Sequence, residues 1–174
     1  MLGALPLVSF EDETTEANIM TVIYPVTRLQ FLRSYPWRSA TKYATLAQIN
    51  EDPLDPDWDL MFAWPDDALR ILRIVGGAYP SPTDAPFKSV GMTVFTNFAN
   101  ISAEYIYDIP EPEMDALMEE ALVAKLAMAV AYSITGDNGL MSSFASLYDR
   151  KIEEARIVDR QESSHVSFRI STLT

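Results

Sequence analysis

The sequence contains no cysteine among its 174 residues. This absence excludes disulfide frameworks, thiolate nucleophiles and zinc sites built from cysteine. Histidine is nearly absent too, since His165 is the single one in the chain. A histidine–carboxylate metal site would have to be built around that one side chain. These absences exclude cysteine chemistry and disfavour a histidine metal site, and we expect no bound metal or cofactor.

Positive charge is also scarce. The chain carries 13 lysines and arginines against 25 aspartates and glutamates, which gives a net charge of −12. Proteins that bind nucleic acid tightly neutralise phosphates with lysine and arginine, so this balance disfavours tight DNA binding. An acidic surface favours solubility. It would equally suit a wall past which DNA slides without adhering, with repulsion that reaches about 8 Å at physiological salt.

Long apolar runs are missing as well. The first ten residues, MLGALPLVSF, have no basic region and their apolar run is broken by Pro6, so we expect no signal peptide. A membrane-spanning helix needs about 20 consecutive apolar residues, and the most apolar window, 121–134, is shorter and contains Lys125. The sequence therefore predicts a protein that does not associate with membranes.

Residues 13–34 show helical periodicity with an unusually wide apolar surface. Pro25 predicts a kink inside this helix, and Pro36 predicts its end at or before Tyr35. One apolar stripe comprises Met20, Tyr24, Thr27 and Phe31, and the adjacent stripe comprises Ile19, Val22, Val26, Leu29 and Leu32. Such a helix is either central to its own core or shares one stripe with a neighbouring subunit. The candidates for a subunit interface are Ile19, Val22, Val26, Arg28 and Leu29.

The middle of the chain is divided by prolines and turn residues, with short runs between them that read as strands. We predict one small antiparallel sheet of roughly four to six strands. The predicted strands are Lys42–Leu46, Asp59–Trp64, Leu69–Val75, Thr93–Thr96 and Ala103–Tyr107. Ser89–Met92 is predicted to be a hairpin turn with Gly91 at a positive φ angle. Residues 66–69 are predicted to form one helical turn after Pro65.

The last third of the chain returns to helical patterns over residues 112–135 and 140–160. The first of these helices is rich in alanine, which permits close packing against another helix, and Gly136 fits the position just after its end. The final residues alternate Val166, Phe168 and Ile170 with polar residues, as a strand does. This segment either joins a sheet of its own chain or docks on a neighbouring subunit or partner.

Together these patterns predict an α+β fold that is mainly α-helical. About three long helices form a bundle, a small antiparallel β-sheet domain is inserted into it, and an extended tail follows. The predicted domain limits are 1–37 with 108–160 for the helical bundle, 38–107 for the β domain and 161–174 for the tail.

Carboxylates and aromatic residues give weak functional signals. Pairs such as Asp66/Asp67 and Glu119/Glu120 could serve a hydrolase that works with two carboxyl groups, although nothing in the sequence brings a pair together across a cleft. The stretch DPLDPDWD at 52–59 superficially resembles a calcium loop, but it lacks the central glycine and the closing glutamate. The tryptophans and tyrosines indicate core or interface packing rather than ligand stacking.

Four stretches, taken in order, carry a more specific pattern. They are ETTEANIMTVIYPVTRLQFLRSYPWRSATKYATLA, WDLMFAWPDDALRILRI, FKSVGMTVFTN and AEYIYDIPEPEMDALMEEALVAKLAMAVAYSITG. The positions that match are Glu16, Ala17, Tyr24, Arg28, Leu32, Pro36, Trp37, Arg38, Ala40, Lys42 and Leu46 in the first stretch. This arrangement resembles the tail tubular protein A family, the head-to-tail adaptor (gatekeeper) proteins of short-tailed bacteriophages. Ser39 stands where that family commonly has an aromatic residue, and the C-terminal tail is not matched.

The resemblance implies a structural role in the virion and no enzymatic activity. It implies a homo-oligomeric ring, a dodecamer in the family, between the portal protein and the tail nozzle (tail tubular protein B). That ring would extend the DNA channel, with transient and non-specific passage of DNA, and would offer a platform for tail components, including tail fibres. The location implied is the neck of the virion, after assembly in the host cytoplasm.

Two alternatives stay open from the sequence. The first is a head-completion connector of a long-tailed phage, which has the same role and another distal partner. The second is a phage-encoded cell-wall hydrolase that uses a carboxylate pair. Under the adaptor hypothesis, Pro36 and Trp37 anchor the junction between helix and sheet, and Val166, Phe168 and Ile170 belong to a tail that docks on a partner.

Overall fold

The computed structural model describes residues 14–77 and 83–163. These residues form an α+β fold with an N-terminal helix, two small antiparallel sheets and two long packed helices. The helices are α1 (Thr15–Ser34), α2 (Ala116–Thr135) and α3 (Asn138–Ser163), with a 3₁₀ turn at Glu111–Glu113. The strands are β1 (Thr41–Thr45), β2 (Gln48–Ile49), β3 (Leu60–Ala63), β4 (Ala68–Gly76), β5 (Thr83–Asp84), β6 (Lys88–Val90), β7 (Thr93–Thr96) and β8 (Ser102–Tyr107).

The chain divides into two compact units. The helical unit comprises residues 1–28 and 115–174, and the sheet unit comprises residues 29–114. The division falls inside α1, so the last turns of that helix belong with the sheets. Compact units of this kind are not a test of independent folding, and the domain limits predicted from the sequence stay a prediction.

Each of the three helices begins at a side chain that accepts hydrogen bonds from the first free backbone amides. Thr14 Oγ1 accepts from the amide of Ala17 at 3.1 Å. Asp115 Oδ1 accepts from that of Leu117 at 2.9 Å, and Asp137 Oδ1 from that of Gly139 at 2.7 Å. Gly136 has φ +65° directly after α2, as predicted for a residue that ends a helix in the left-handed conformation. The turn between α2 and α3 is therefore specified by its local sequence.

The two C-terminal helices pack against each other. On α2 the buried positions include the small residues Ala121, Ala124 and Ala131, and on α3 Ile152 and Ala155 are buried. Small side chains let two helices approach closely, as the alanine content predicted. Within the residues that the structure describes, none of the helices is long and apolar enough to cross a membrane.

Two four-stranded antiparallel sheets make up the rest of the sheet unit. Sheet A has the strand order β1-β8-β4-β5, and sheet B has the order β2-β3-β7-β6. In sheet A, the central strand β8 is buried on both faces, since Ala103, Tyr105, Ile106 and Tyr107 are all below 9% exposed. In sheet B, Phe62 and Val94 are buried and paired with each other, so one face of that sheet belongs to the core.

The sequence predicted one sheet, but the described residues form two. The five predicted strands are present with small shifts at their ends, but β2, β5 and β6 were not predicted. Strands β2 and β5 have just two residues each, which is too short for a periodic pattern. Strand β6 (Lys88–Val90) overlaps the start of the hairpin turn predicted at Ser89–Met92. The hairpin itself is confirmed, since β6 pairs with β7 and Gly91 has φ +60°.

Two local predictions need correction. In place of the predicted helical turn at 66–69, residues 65–68 form a β-turn in which the amide of Ala68 donates to the carbonyl of Pro65 at 3.0 Å, and β4 begins at Ala68. The extended tail was predicted to begin at residue 161, but α3 continues to Ser163. Gln161 and Glu162 favour helix, so the pattern of the preceding turns simply continues. Val166, Phe168 and Ile170 lie outside the described residues.

Gly76 lies directly against the side chain of Phe98. A Cβ atom placed there would lie 2.9 Å from Cβ and Cδ1 of Phe98, so Gly76→Ala should lower the free energy of unfolding by about 1–3 kcal/mol. Gly91→Ala meets open space at a positive φ angle and should cost about 1–2 kcal/mol through backbone strain alone. Chemical denaturation of both variants together with Phe98→Ala separates the causes. Phe98→Ala removes Cδ1 but keeps the Cβ atom at 2.9 Å, so it should reduce the cost of Gly76→Ala only in part, and it should leave the Gly91→Ala cost unchanged.

Candidate functional site

The junction between α1 and sheet A is closed by Trp37. Its side chain is 1% exposed and stacks on Phe31 with ring centroids 5.1 Å apart. The ring of Tyr35 lies 4.7 Å away on a tilted plane. The indole Nε1 donates to the Phe31 carbonyl at 3.4 Å. Because α1 ends at Ser34, before Pro36, as predicted, the tryptophan folds back on the last turn of the helix it follows.

The backbone of Trp37 also connects to the start of β1. Its carbonyl accepts from Thr41 Oγ1 at 2.6 Å and from the amide of Ala40 at 3.1 Å. The chain therefore reverses direction in a turn that is bonded on both sides of the buried ring. The role of Pro36 and Trp37 as the anchor between helix and sheet stays a prediction, and these are the contacts through which it would act.

The two apolar stripes predicted for α1 both end in a fully buried residue, Phe31 and Leu32, but they differ in the earlier turns. Thr27, at the end of the first stripe, is 7% exposed and Phe31 is fully buried. In the second stripe, Val22 is 70% exposed and Val26 is 56% exposed. These two valines lie four residues apart and so on one face of the helix. The other interface candidates, Ile19, Arg28 and Leu29, are half-buried.

One of the exposed valines, Val22, lines a shallow groove in the helical unit. Ile19, Val22 and Ile23 of α1 line this groove, with Thr15 and Asn18 at the start of the helix and Ser133 of α2. We call Ile19, Val22, Ile23 and Val26 the α1 strip. It is an apolar surface on an otherwise acidic protein, which is the usual mark of an interaction site.

A cluster of polar side chains links strands β1 and β8 of sheet A to the turn before β4. Lys42 Nζ donates to Asp67 Oδ2 at 2.9 Å and lies 3.7 Å from the centre of the Tyr107 ring. The Tyr105 hydroxyl donates to Asp67 Oδ1 at 2.9 Å. The hydrogen bond from Lys42 holds the pKa of Asp67 below its usual value. Burial and, after it, Asp67 raise the pKa of Tyr105 to about 12. Asp67 thus receives two donors and ties the turn before β4 to strands β1 and β8.

This cluster predicts a specific dependence of stability on pH. Because the folded pKa of Asp67 is lowered, its carboxylate stabilises the fold above about pH 4. That contribution is lost as the pH falls through the folded pKa. Asp67→Asn should therefore lower the free energy of unfolding by up to about 1 kcal/mol at pH 7, since the ion pair is partly exposed, and by almost nothing at pH 2. Urea denaturation across this pH range measures the gap. The control is Asp66→Asn at the exposed neighbouring position, which should lower the free energy of unfolding at pH 7 by much less. If both variants lose the same stability between pH 2 and pH 7, Asp67 does not have the proposed stabilising role.

Three of the carboxylates singled out in the sequence each pair with a different lysine. Asp55 accepts from Lys88 Nζ at 2.7 Å, Glu120 accepts from Lys151 Nζ at 2.6 Å, and Asp67 accepts from Lys42 and Tyr105. Within residues 14–77 and 83–163, no three histidine, aspartate or glutamate side chains are grouped so that they could hold a metal ion. His165 lies outside those ranges.

The loop that resembled a calcium loop is organised by an asparagine. Asn97 Oδ1 accepts from the amide of Asp59 at 2.8 Å, and Asn97 Nδ2 donates to the carbonyl of Asp57 at 3.3 Å. Asp55 Oδ1 accepts from the amide of Asp57 at 3.2 Å in a local turn. The loop is thus held against the end of β7, next to sheet B.

The outer face of sheet B carries a groove that the sequence patterns did not reveal. It has a volume of about 550 Å³, and Ile49, Leu54, Met61, Val90 and Phe95 contribute its apolar lining. Its acidic rim is formed by Glu51, Asp52 and Asp55. We call this feature the sheet B groove. The signal that could have located it is the alternation in β7, where Val94 and Thr96 are buried while Phe95 remains half-exposed.

Comparison of the whole chain with known protein families and with curated proteins gave no match. The surfaces described above therefore carry the functional argument together with the motif resemblance.

Proposed function

We propose that this chain is a structural virion protein, a head-to-tail adaptor of a short-tailed phage. Copies of it would form a ring, a dodecamer by resemblance to the tail tubular protein A family, between portal protein and tail nozzle. The ring extends the DNA channel and offers a platform for tail components. In this role the protein needs neither a catalytic site nor a cofactor, and it belongs to the neck of the virion.

The observation that carries the proposal is the α1 strip. Two valines that are 70% and 56% exposed, beside a groove lined by Ile19 and Ile23, leave an apolar surface in contact with water. Burying a valine side chain contributes about 1.5–3 kcal/mol, so covering this strip with a neighbouring subunit would be clearly favourable. The strip lies on the face of α1 where the sequence predicted a subunit interface.

A ring also explains why such a strip can exist without promoting indefinite association. In a ring each subunit meets its two neighbours through unlike surfaces, and rotation closes the assembly. The strip would then be covered on every copy. The finer fold proposal is that α1 joins α2 and α3 in one helical bundle, so that its opposite face is held by its own chain.

The motifs that resemble the adaptor family occupy structural positions that would suit the role. The Pro36-Trp37 pair closes the turn from α1 into sheet A, and the stretch around Gly91 is the β6–β7 hairpin. The alanine-rich stretch is α2, which packs on α3. A protein that works by shape needs rigid connections at such places. The net charge of −12 suits a channel wall that lets DNA pass, because like charges repel over about 8 Å.

The proposal is tested by mixing the purified protein with the portal protein encoded in the same genome. We expect weak, concentration-dependent self-association of the protein alone. With portal, negative-stain images and mass photometry should show an additional ring of density on the portal and a stable complex. Free monomers beside undecorated portal rings at micromolar concentration would contradict the proposal.

A further inference from the structure

The floor of the sheet B groove is one row of side chains on the outer face of the sheet. Ile49 pairs with Met61, and Met61 pairs with Phe95, so the three lie side by side across β2, β3 and β7. Directly paired residues share a face and lie about 5 Å apart. The opposite face carries the buried pair Phe62 and Val94. The floor is therefore apolar, half-exposed and rigidly held by a core on its other side.

The rim of the groove is acidic on the side of the loop after β2. Glu51 and Asp52 are exposed there, while Asp55 is paired with Lys88 at the other side of the groove. An apolar floor with a negative rim selects a segment that brings apolar side chains and no carboxylate of its own, since like charges at close range are destabilising.

One stretch of this chain has that composition. Residues 164–174, SHVSFRISTLT, contain no aspartate or glutamate and one arginine, Arg169, in a protein with 25 acidic residues. Val166, Phe168 and Ile170 alternate with polar residues, so in an extended conformation they would share one face. Three apolar side chains on one face match an apolar floor three strands wide.

We propose that the sheet B groove of one copy receives residues 164–174 of a second copy. Val166, Phe168 and Ile170 contact the floor at Ile49, Met61 and Phe95, and Arg169 adds attraction to the carboxylates of Glu51 and Asp52. The inference rests on the self-assembly proposed above and names a second, heterologous contact within it. In a ring, a groove on one side and a segment on the other repeat at every interface.

The absence of cysteine from the chain makes this contact directly measurable in the full-length protein. Met61→Cys and Phe168→Cys variants, each carrying one thiol, are mixed under mild oxidation. The matched control replaces Met61→Cys with Ser89→Cys, which lies on exposed strand β6. Docking raises the effective concentration of the two thiols, so we expect the mixed disulfide dimer at least about tenfold faster with Met61→Cys than with Ser89→Cys.

Equal rates for the two pairs would overturn the proposal. So would a Met61→Cys/Phe168→Cys double variant that forms its disulfide within one chain while the mixed single variants stay unlinked, because the segment would then occupy its own groove.

Charge reversal tests the contribution of the acidic rim. Glu51→Lys with Asp52→Lys should slow the mixed dimer several-fold, and Arg169→Glu on the partner copy should restore it. If Arg169→Glu instead slows formation of the mixed dimer further, the proposed charge pairing is wrong.

The same samples separate this inference from the adaptor proposal. Ring formation on portal is read by negative stain independently of the disulfide. Rings that form without the mixed disulfide overturn the groove contact and leave the adaptor proposal standing. A fast mixed disulfide in a protein that never binds portal supports the contact and contradicts the adaptor role.

Discussion

Replacing Trp37 by alanine is expected to lower the free energy of unfolding of the sheet unit by about 3–5 kcal/mol. The side chain is 1% exposed and lies against Phe31 and Tyr35, so its removal leaves a large cavity at the junction between α1 and β1. Hydrogen bonds hold this residue to both elements: its indole Nε1 donates to the Phe31 carbonyl of α1, and its own carbonyl accepts from Thr41 Oγ1 of β1. Chemical denaturation followed by far-ultraviolet circular dichroism measures the loss without relying on tryptophan fluorescence.

Trp37→Phe is the informative companion variant. Phenylalanine keeps an aromatic ring against Phe31 and loses the long hydrogen bond from Nε1, so its cost should stay well below that of alanine. Leu54→Ala serves as the control, because Leu54 is fully exposed and its change should stay within about 0.5 kcal/mol. If Trp37→Ala and Leu54→Ala cost the same, the anchor role of the tryptophan is wrong.

The double substitution Val22→Asp with Val26→Asp is expected to abolish assembly on portal. Each valine would lose its burial of about 1.5–3 kcal/mol, and a charge would enter an apolar interface. The association constant should therefore fall by at least about 100-fold. Because both valines are exposed in the monomer, the free energy of unfolding of the monomer should change little. Sedimentation velocity of mixtures with portal measures the loss of assembly.

Val123→Asp is the matched control for this experiment. Val123 is 54% exposed on α2, so the change introduces one carboxylate on a helix, against two in the double variant, with the same small propensity cost at each position. It should leave assembly intact if the α1 strip is the interface. Loss of assembly in Val123→Asp as well would indicate a general effect of added charge and would remove the support for the strip.

The C-terminal ends of α1 and α2 could be predicted closely because they are encoded locally, and Gly136 ends α2 where its lack of a side chain predicts. The starts were less exact: α2 was predicted from residue 112, but Glu111–Glu113 form a 3₁₀ turn and the helix begins at Ala116, after the capping residue Asp115. Pro36 likewise limits α1. These signals act within one or two turns of the chain, so they do not depend on distant packing.

The sheets were predicted less well because their pairing is not local. β8 pairs with β1 and β4, and two register shifts in β4 next to Arg70 and Arg73 interrupt its alternation. Strands of two residues acquire their identity from a partner far along the chain. For the same reason the sheet B groove could not be seen in the sequence, since its floor joins Ile49, Met61 and Phe95 across three strands.

By itself, the sequence determined the α+β class, the C-terminal ends of α1 and α2 and the turn at Gly91, because periodicity and helix-ending residues act over a few positions. The tertiary structure decided that there are two sheets rather than one, that Val22 and Val26 of the strip remain exposed while Phe31 and Leu32 on the same helix are buried, and that Asp67 joins Lys42 to Tyr105. Each of these features depends on contacts between residues that are far apart in the sequence. Such contacts are set by the packing of the whole chain, so they cannot be predicted from any short stretch of residues.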